Sequence, residues 1–368
     1  MKPTILFEGQ TLAAGPYFER VMRGAGALQR LGIAEGDTVA LMMRNSPTVL
    51  ELMLACRWLG ATWCPINWHF KHDELRHILG DCGAKLFVAD APLLRELHAA
   101  VPPGLPAIQA LAVDDHGPWP LWERLRDAAP LCTDAARTPR GPMLYTSGTT
   151  GRPKGIRREA ATPEQAARTV EKSRLCYGIV PGMRALLNAP MYHSAPNAYA
   201  IGVTQIDNAT LLLEQRFDAE RTLQLIEQHR LTHAYLVPTL YVRLLRLPDA
   251  VKRRYDVSSM RHVSATGSAC PPDVKRAMID WWGPVFNEAY GSSELGYMTY
   301  VTSAEALAKP GTAGRALNGV ELKILDEAGR EQPPGEPGLI YARQNGMVDF
   351  SYQGNDGARR AMERDGYL

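Results

Sequence analysis

Residues 145–155 read Tyr-Thr-Ser-Gly-Thr-Thr-Gly-Arg-Pro-Lys-Gly, a run rich in small hydroxyl and glycine residues with a single lysine, Lys154, near its end. These residue types suit a polyphosphate. Glycines let backbone N–H groups approach anionic oxygens closely, Ser and Thr hydroxyls add neutral donors, and one lysine brings a point charge to the phosphate. The apolar residues Met143, Leu144 and Tyr145 just before the run predict a buried strand end that feeds the loop, which separates it from a generic flexible Gly/Ser/Thr linker. A P-loop NTPase is the chemical rival, but it needs glycine before the lysine and a hydroxyl after it to hold magnesium. Here those places are taken by Pro153 and Gly155.

The stretch closely resembles the phosphate loop of the adenylate-forming superfamily, which comprises acyl-CoA synthetases, adenylation domains of peptide synthetases and luciferases. Further segments fall where that resemblance places them. Residues 189–196, Ala-Pro-Met-Tyr-His-Ser-Ala-Pro, follow a predicted strand; the resemblance puts His193 at the mouth of an acyl pocket, although alone it would read as a structural histidine. Residues 266–271, Thr-Gly-Ser-Ala-Cys-Pro, open a helix after a strand, and Gly267 can let a backbone edge lie against a planar ligand. Residues 287–294, Asn-Glu-Ala-Tyr-Gly-Ser-Ser-Glu, form the second strong motif. There the resemblance implies adenine stacking on Tyr290, approach of Gly291 and Ser292 to the reacting carboxylate, donation from Ser293 to phosphate, and Glu294 as a hard oxygen ligand for Mg²⁺.

Residue by residue, the resemblance implies catalytic roles for Thr150, His193 and Glu294. Nucleotide contacts would come from Thr146, Ser147, Gly148, Thr149, Thr150, Gly151, Lys154, Gly267, Ser268, Asn287, Glu288, Ala289, Tyr290, Gly291, Ser292 and Ser293. The acyl pocket would take His193, Tyr199, Tyr235, Gly267 and Gly291. Two further segments, 309–314 and 335–340, are similar to structural landmarks of the family. Departures are modest: Ala289 stands where glycine is common, Ser293 where threonine is usual and Leu339 where glutamate is frequent, and a slightly tighter adenine slot is the expected consequence.

The elements that must position these residues follow from hydrophobic patterning. From residue 14 to about 290, continuous apolar strands alternate with amphipathic helices, which indicates parallel sheets covered on both faces. Predicted strands lie at 38–43, 61–65, 85–89, 184–189, 210–214, 234–237, 261–265 and 285–290. A helix over 46–60 is marked by Ser46 as N-cap, Pro47 at the first helical position and Gly60 at its end. Thr162, Pro163 and Gln165 predict a capping-box start after the phosphate loop, and further helices are expected over 218–230 and 271–283. Beyond about 296 helix signals almost stop, and strands at 297–301, 320–325 and 339–343 joined by Gly/Pro turns suggest a small β-barrel. The expected fold is therefore α/β: two stacked parallel-sheet subdomains over about 1–295, a barrel over about 296–350, and a lead-in to a hinge over 351–368.

Composition narrows the partners. A net charge of +2 from 41 basic and 39 acidic residues leaves no excess to drive nucleic-acid or membrane-surface binding. The apolar run 49–60 is broken by Glu51 and Arg57 and is too short to span a bilayer. The N-terminal apolar segment is too short for a signal peptide, so a cytoplasmic location follows. Six scattered cysteines without a Cys-x-x-Cys pair predict reduced, buried thiols, and the spacing of His69, His72 and His77 does not match a zinc helix.

The resemblance implies a two-step reaction. A carboxylate attacks the α-phosphate of Mg·ATP to give an acyl-adenylate and pyrophosphate, and a thiol, coenzyme A, then displaces AMP. In the family the last residues lead into a Thr-Gly-Asp motif and a small C-terminal domain with a catalytic lysine, so this stretch is expected to bind nucleotide and acid while turning over slowly alone. Two alternatives stay open: an acyl-AMP ligase that loads a carrier protein, and a non-catalytic ATP or acyl-AMP binding protein. The acid and the oligomeric state are not legible in the sequence.

Overall fold

A computed structural model describes residues 3–110, 118–146 and 152–368. Its centre is a pair of parallel sheets. The smaller has four strands in the order Thr62–Pro65, Thr38–Met42, Ala84–Asp90, Ala107–Ala110, all parallel. The larger has nine strands, and six of them, Phe286–Ser292, His262–Ala265, His233–Tyr235, Arg184–Leu187, Thr210–Leu213 and Thr4–Phe7, lie side by side and parallel.

Successive residues of a strand face opposite ways, so a strand covered on both sides must be apolar throughout. In Thr38–Met42, Val39 and Leu41 enter the core shared by the two sheets, while Ala40 and Met42 pack under helices His72–Asp81 and Ala91–Leu97. In the larger sheet, Ala185, Leu187, Leu211 and Leu213 join the shared core. Leu186 and Leu212 instead face helices Ala219–His229, Pro238–Leu245 and Pro272–Trp282. Helices Ala14–Arg30, Pro47–Leu59 and Ser194–Thr204 lie in the shared layer, and the two sheets are thereby stacked as the sequence predicts.

Local signals set the helix ends. Ser46 Oγ accepts from the Val49 N–H at 3.2 Å, Pro47 occupies the first turn, and Gly60 closes the helix in the left-handed region at φ 68°. Thr162 and Gln165 form the expected capping box of Pro163–Tyr177. The middle helix also carries a buried charge cluster. Glu51, fully buried, accepts from Arg20 Nε at 2.9 Å, Trp122 Nε1 at 2.9 Å and Arg126 Nη1 at 3.3 Å, which ties three helices together.

Past residue 296, where a barrel is expected, strand Gly296–Val301 turns back antiparallel onto Phe286–Ser292 and extends the large sheet. Val320–Leu325 and Leu339–Gln344 make a separate antiparallel pair. Phe350–Tyr352 crosses to strand Lys154–Arg158, which itself pairs with Leu144–Thr146. Two short helices, Ser303–Ala308 and Asp356–Met362, fall in this region of weak helix signals. Among the described residues no helix is long and apolar enough to cross a membrane, and all six cysteines are free and buried.

Candidate active site

The large sheet changes direction at one place. From Arg184–Leu187 the chain moves to Thr210–Leu213 on one side and then to His233–Tyr235 on the other, so the strand order reverses there. Open parallel sheets bind ligands outside the carboxyl ends of their strands near such a reversal. Three of the predicted segments lie at these carboxyl ends: 188–193 after Arg184–Leu187, 266–268 after His262–Ala265, and Tyr290–Glu294 at the end of Phe286–Ser292.

His193 is the N-cap of helix Ser194–Thr204, exposed, with its ring 4.4 Å from that of Tyr192; desolvation holds its imidazole below the ordinary pKa. Ser194 Oγ lies 3.4 Å from Ser293 Oγ, so the histidine segment and the Tyr290–Glu294 turn touch. Gly267 has φ +92° and open space where a side chain would start, and Ser268 is exposed beside it. Tyr290 is 38% exposed, one strand away.

The strand alternation sorts the remaining residues of this motif. Glu288 forms an ion pair with Lys275 of helix Pro272–Trp282, and both side chains are largely buried. Asn287 Nδ2 donates to His262 Nδ1 and to the Val285 carbonyl, each at 3.1 Å. Ala289 packs with Cys176, Met298 and Ala342, on the strand face opposite Tyr290. Gly291 is a close approach: a Cβ there would lie 2.1 Å from the Gly296 carbonyl oxygen of the returning strand. These four residues thus have packing or pairing roles of their own within the fold.

Tyr199 and Tyr235 are buried under the reversal point. Their rings are 6.0 Å apart and both meet Tyr177, whose hydroxyl reaches the Ala195 carbonyl at 2.9 Å and the Tyr297 hydroxyl at 2.6 Å. The Tyr199 hydroxyl, wholly buried, has no hydrogen-bond partner among the described residues.

Of the phosphate loop, Ser147, Gly148, Thr149, Thr150 and Gly151 lie outside the described residues. Its two flanks are clear. Thr146 pairs with Lys154 across the hairpin, and a side chain on Gly155 would collide with the Tyr145 ring at 2.7 Å. Arg158 reaches over from the same strand and donates to the carbonyls of Ser293 at 2.7 Å and Glu294 at 2.5 Å. Lys154 is exposed, with Nζ 5.3 Å from the centre of the Tyr352 ring, and the Tyr352 hydroxyl donates to Glu294 Oε1 at 3.1 Å. Burial and that carboxylate push the Tyr352 hydroxyl pKa up to about 12.

Lys154 and Glu294 are therefore gathered about one ring. Such an arrangement offers a cation and a hard anionic oxygen, with an exposed ring, Tyr290, four residues before Glu294 on the same chain segment. Magnesium is commonly held by one or two carboxylates together with substrate phosphates, and Glu294 fits that use. Among the described residues no cluster of three His, Cys, Asp or Glu forms a dedicated metal cage. His77 contacts the loop from outside, with Nε2 3.0 Å from the Pro153 carbonyl.

Arg158 and Tyr352 are absent from the sequence-based site. Arg158 follows the loop closely enough to have been considered. Tyr352 had no local signal, because its place depends on a strand pairing with Lys154–Arg158 far back in the chain.

Comparison with known proteins gives the family and the fold. Indoleacetate–CoA ligase from Aromatoleum aromaticum is 31% identical over 381 residues, which cover 100% of this chain and 72% of that protein. Feruloyl-CoA synthase from an Amycolatopsis species is 31% identical over 365 residues, covering 98% and 70%. Among solved structures, the N-terminal domain of FACL13 from Mycobacterium tuberculosis superposes with a TM-score of 0.83 at 23% identity, over 100% of this chain and 91% of that one. The family model described as AMP-binding enzyme matches residues 2–350, and the chain belongs to that family.

Proposed function

We propose that this chain is the nucleotide- and acid-binding part of an ATP-dependent carboxylic acid:CoA ligase that works through an acyl-adenylate. The observation that carries the reading is the meeting of Lys154 and Glu294 around Tyr352, on the Tyr290–Glu294 turn that touches the residue after His193 through Ser293 and Ser194. The substrate carboxylate attacks the α-phosphorus of ATP, a C(=O)O–P bond forms, and the bond to the bridging oxygen breaks to release pyrophosphate. The thiol of coenzyme A then attacks the acyl carbon, AMP leaves with the bond electrons, and the thiol proton goes to solvent.

The work of the protein in the first step is positioning and charge stabilisation. Lys154 would neutralise the outer phosphates, Tyr290 would stack on adenine, and His193 would shape the entrance for the acid. Magnesium would be held by Glu294 and the phosphate oxygens, and supplies charge neutralisation as pyrophosphate departs. We take the acid to be aromatic, ahead of a fatty acid, since the relatives at 31% identity are named for indoleacetate and feruloyl groups and Tyr177, Tyr199 and Tyr235 put aromatic edges under the cleft. Six free thiols accord with a cytoplasmic setting.

A thermal-shift screen of aryl and alkyl carboxylic acids, each with and without Mg·ATP, tests the reading. An aromatic acid and ATP together should raise the unfolding midpoint more than either alone. If no acid adds to the shift from ATP, the ligase reading fails; if only long alkyl acids add to it, the aromatic assignment fails.

A further inference from the structure

Residues 188–193 run between a strand and a helix without a ladder of their own, yet Met191 is 2% exposed, so water cannot satisfy its backbone. Side-chain amides do so instead. The Met191 N–H donates to Asn45 Oδ1 at 2.9 Å, and the Met191 carbonyl accepts from Asn197 Nδ2 at 3.0 Å. Asn45 Nδ2 in turn donates to the Ala189 carbonyl at 2.8 Å and to the Glu214 carbonyl at 3.2 Å. Asn45 is 4% exposed and belongs to the other sheet: it sits just past strand Thr38–Met42 and next to the Ser46 N-cap.

One amide thus clamps the carboxyl ends of two strands of the large sheet, Arg184–Leu187 and Thr210–Leu213, to the carboxyl end of a strand in the small sheet. The neighbouring residue adds a second link. The Arg44 guanidinium lies 5.2 Å from the Trp68 ring, Trp68 meets Tyr192 edge-on at 6.2 Å, and Tyr192 abuts His193. Only an amide satisfies the clamp. A carboxylate would set an oxygen against two carbonyl oxygens, and a smaller residue would leave the Met191 N–H buried without an acceptor.

We propose that Asn45 is a positioning residue that fixes the Ala189–His193 turn, and with it the acid-facing wall of the cleft, to the small sheet. Its functional half rests on the ligase reading; its structural half does not. The test compares wild type, Asn45→Ala, the near-isosteric Asn45→Asp and a control, Ser259→Ala, which removes a buried hydrogen bond to the Leu231 carbonyl well outside this turn. Hydrogen exchange across 189–193 is read for each. So is affinity for AMP and for the acyl-sulfamoyl adenosine of the acid that stabilises wild type most.

Both Asn45 variants should accelerate exchange at 189–193 by about tenfold or more relative to the control, the factor expected when buried backbone groups lose their partners. They should weaken the acyl analogue by a similar factor while AMP changes about twofold or less. Exchange no faster than in Ser259→Ala would overturn the clamp, as would equal losses for AMP and the acyl analogue. Should Asn45→Ala not fold, Asn45→Asp alone decides. Wild type that binds neither AMP nor any acyl analogue would sink the ligase reading instead, and the exchange result would still judge Asn45.

Discussion

Replacing Tyr290 by alanine tests the proposed adenine-stacking role, because the side chain stands at the end of its strand with 38% of its surface exposed. A tyrosine side chain offers roughly 200 Å², so a base that covers what is still exposed removes about 75 Å² from water. At about 25 cal/mol per Å² this is worth about 2 kcal/mol, or roughly thirtyfold in Kd. Incomplete cover would halve it. The loss should be the same for AMP, ATP and an acyl-adenylate analogue, since all three present the same base, and Tyr290→Phe should restore most of it because the ring remains. Titration calorimetry with AMP measures this directly, and a thermal scan serves as control: the larger part of the ring is covered by the fold, so the midpoint should fall in Tyr290→Ala and be kept in Tyr290→Phe, and AMP is titrated well below both midpoints. If phenylalanine proves as damaging as alanine, or if alanine leaves AMP affinity intact, Tyr290 is not the stacking surface.

Other perturbations separate the remaining roles. Lys154→Ala should weaken ATP by about 1.5–3 kcal/mol, the value for a hydrogen bond to a charged group, and AMP much less; equal losses in calorimetry would count against an outer-phosphate role. Glu294→Gln should raise the magnesium concentration needed for ATP binding, and a magnesium titration matching wild type would remove Glu294 as ligand. Glu51→Ala should cost about 3–5 kcal/mol in urea unfolding, because Arg126 and the Trp122 N–H lose a partner in the interior, while nucleotide affinity stays unchanged. His233 and His262 are both held down to about 4 by burial, with His262 adding to the effect on His233. The unfolded chain takes up these protons below about pH 6.5, so stability should be flat above that pH and fall as pH drops from about 6.5 toward 4. His233→Phe should blunt the fall, and an unchanged pH profile would show that burial of this pair is not its source.

The parts of the fold that sequence reveals are those whose causes are local. Ser46, Pro47 and Gly60 mark a helix by capping chemistry alone, and the Thr162–Gln165 box does the same for the next one. Strands covered on both faces announce themselves as unbroken apolar runs, which is why most strands of the parallel sheets are legible with ends displaced by only a residue or two, whereas Ala107–Ala110, four residues interrupted by the buried Gln109, is not. Strand pairing across long stretches of chain is different in kind. Nothing in Gly296–Val301 says that it returns to the large sheet; a bare Gly291 allows the close approach to the Gly296 carbonyl, and that contact is visible only in three dimensions. Thr4–Phe7 and Phe350–Tyr352 are short and pair with Thr210–Leu213 and Lys154–Arg158, far away in the chain, so their residues could not be placed by periodicity.

The site divides along the same line. Motif spacing identified the loops that lie at the strand ends, but not which way each side chain faces. Glu288 turns to Lys275, Asn287 to His262 and Ala289 into a separate apolar cluster, whereas Tyr290 alone of these is exposed. Conversely, Arg158, Tyr352 and Asn45 contact these segments from outside the motifs, through two carbonyls, a carboxylate and a buried turn.

The most direct measurement is calorimetric binding of AMP and of an acyl-sulfamoyl adenosine to the purified 368-residue chain, the acyl group being that of the acid selected in the thermal screen. If, as proposed, Tyr290 takes the nucleotide and the turn at His193 takes the acid, the analogue should bind at least about tenfold more tightly than AMP. Tyr290→Ala should weaken both by the same factor. No measurable binding of either ligand, or an acyl group that adds nothing to AMP, would contradict the assignment of these strand ends to acyl-adenylate formation.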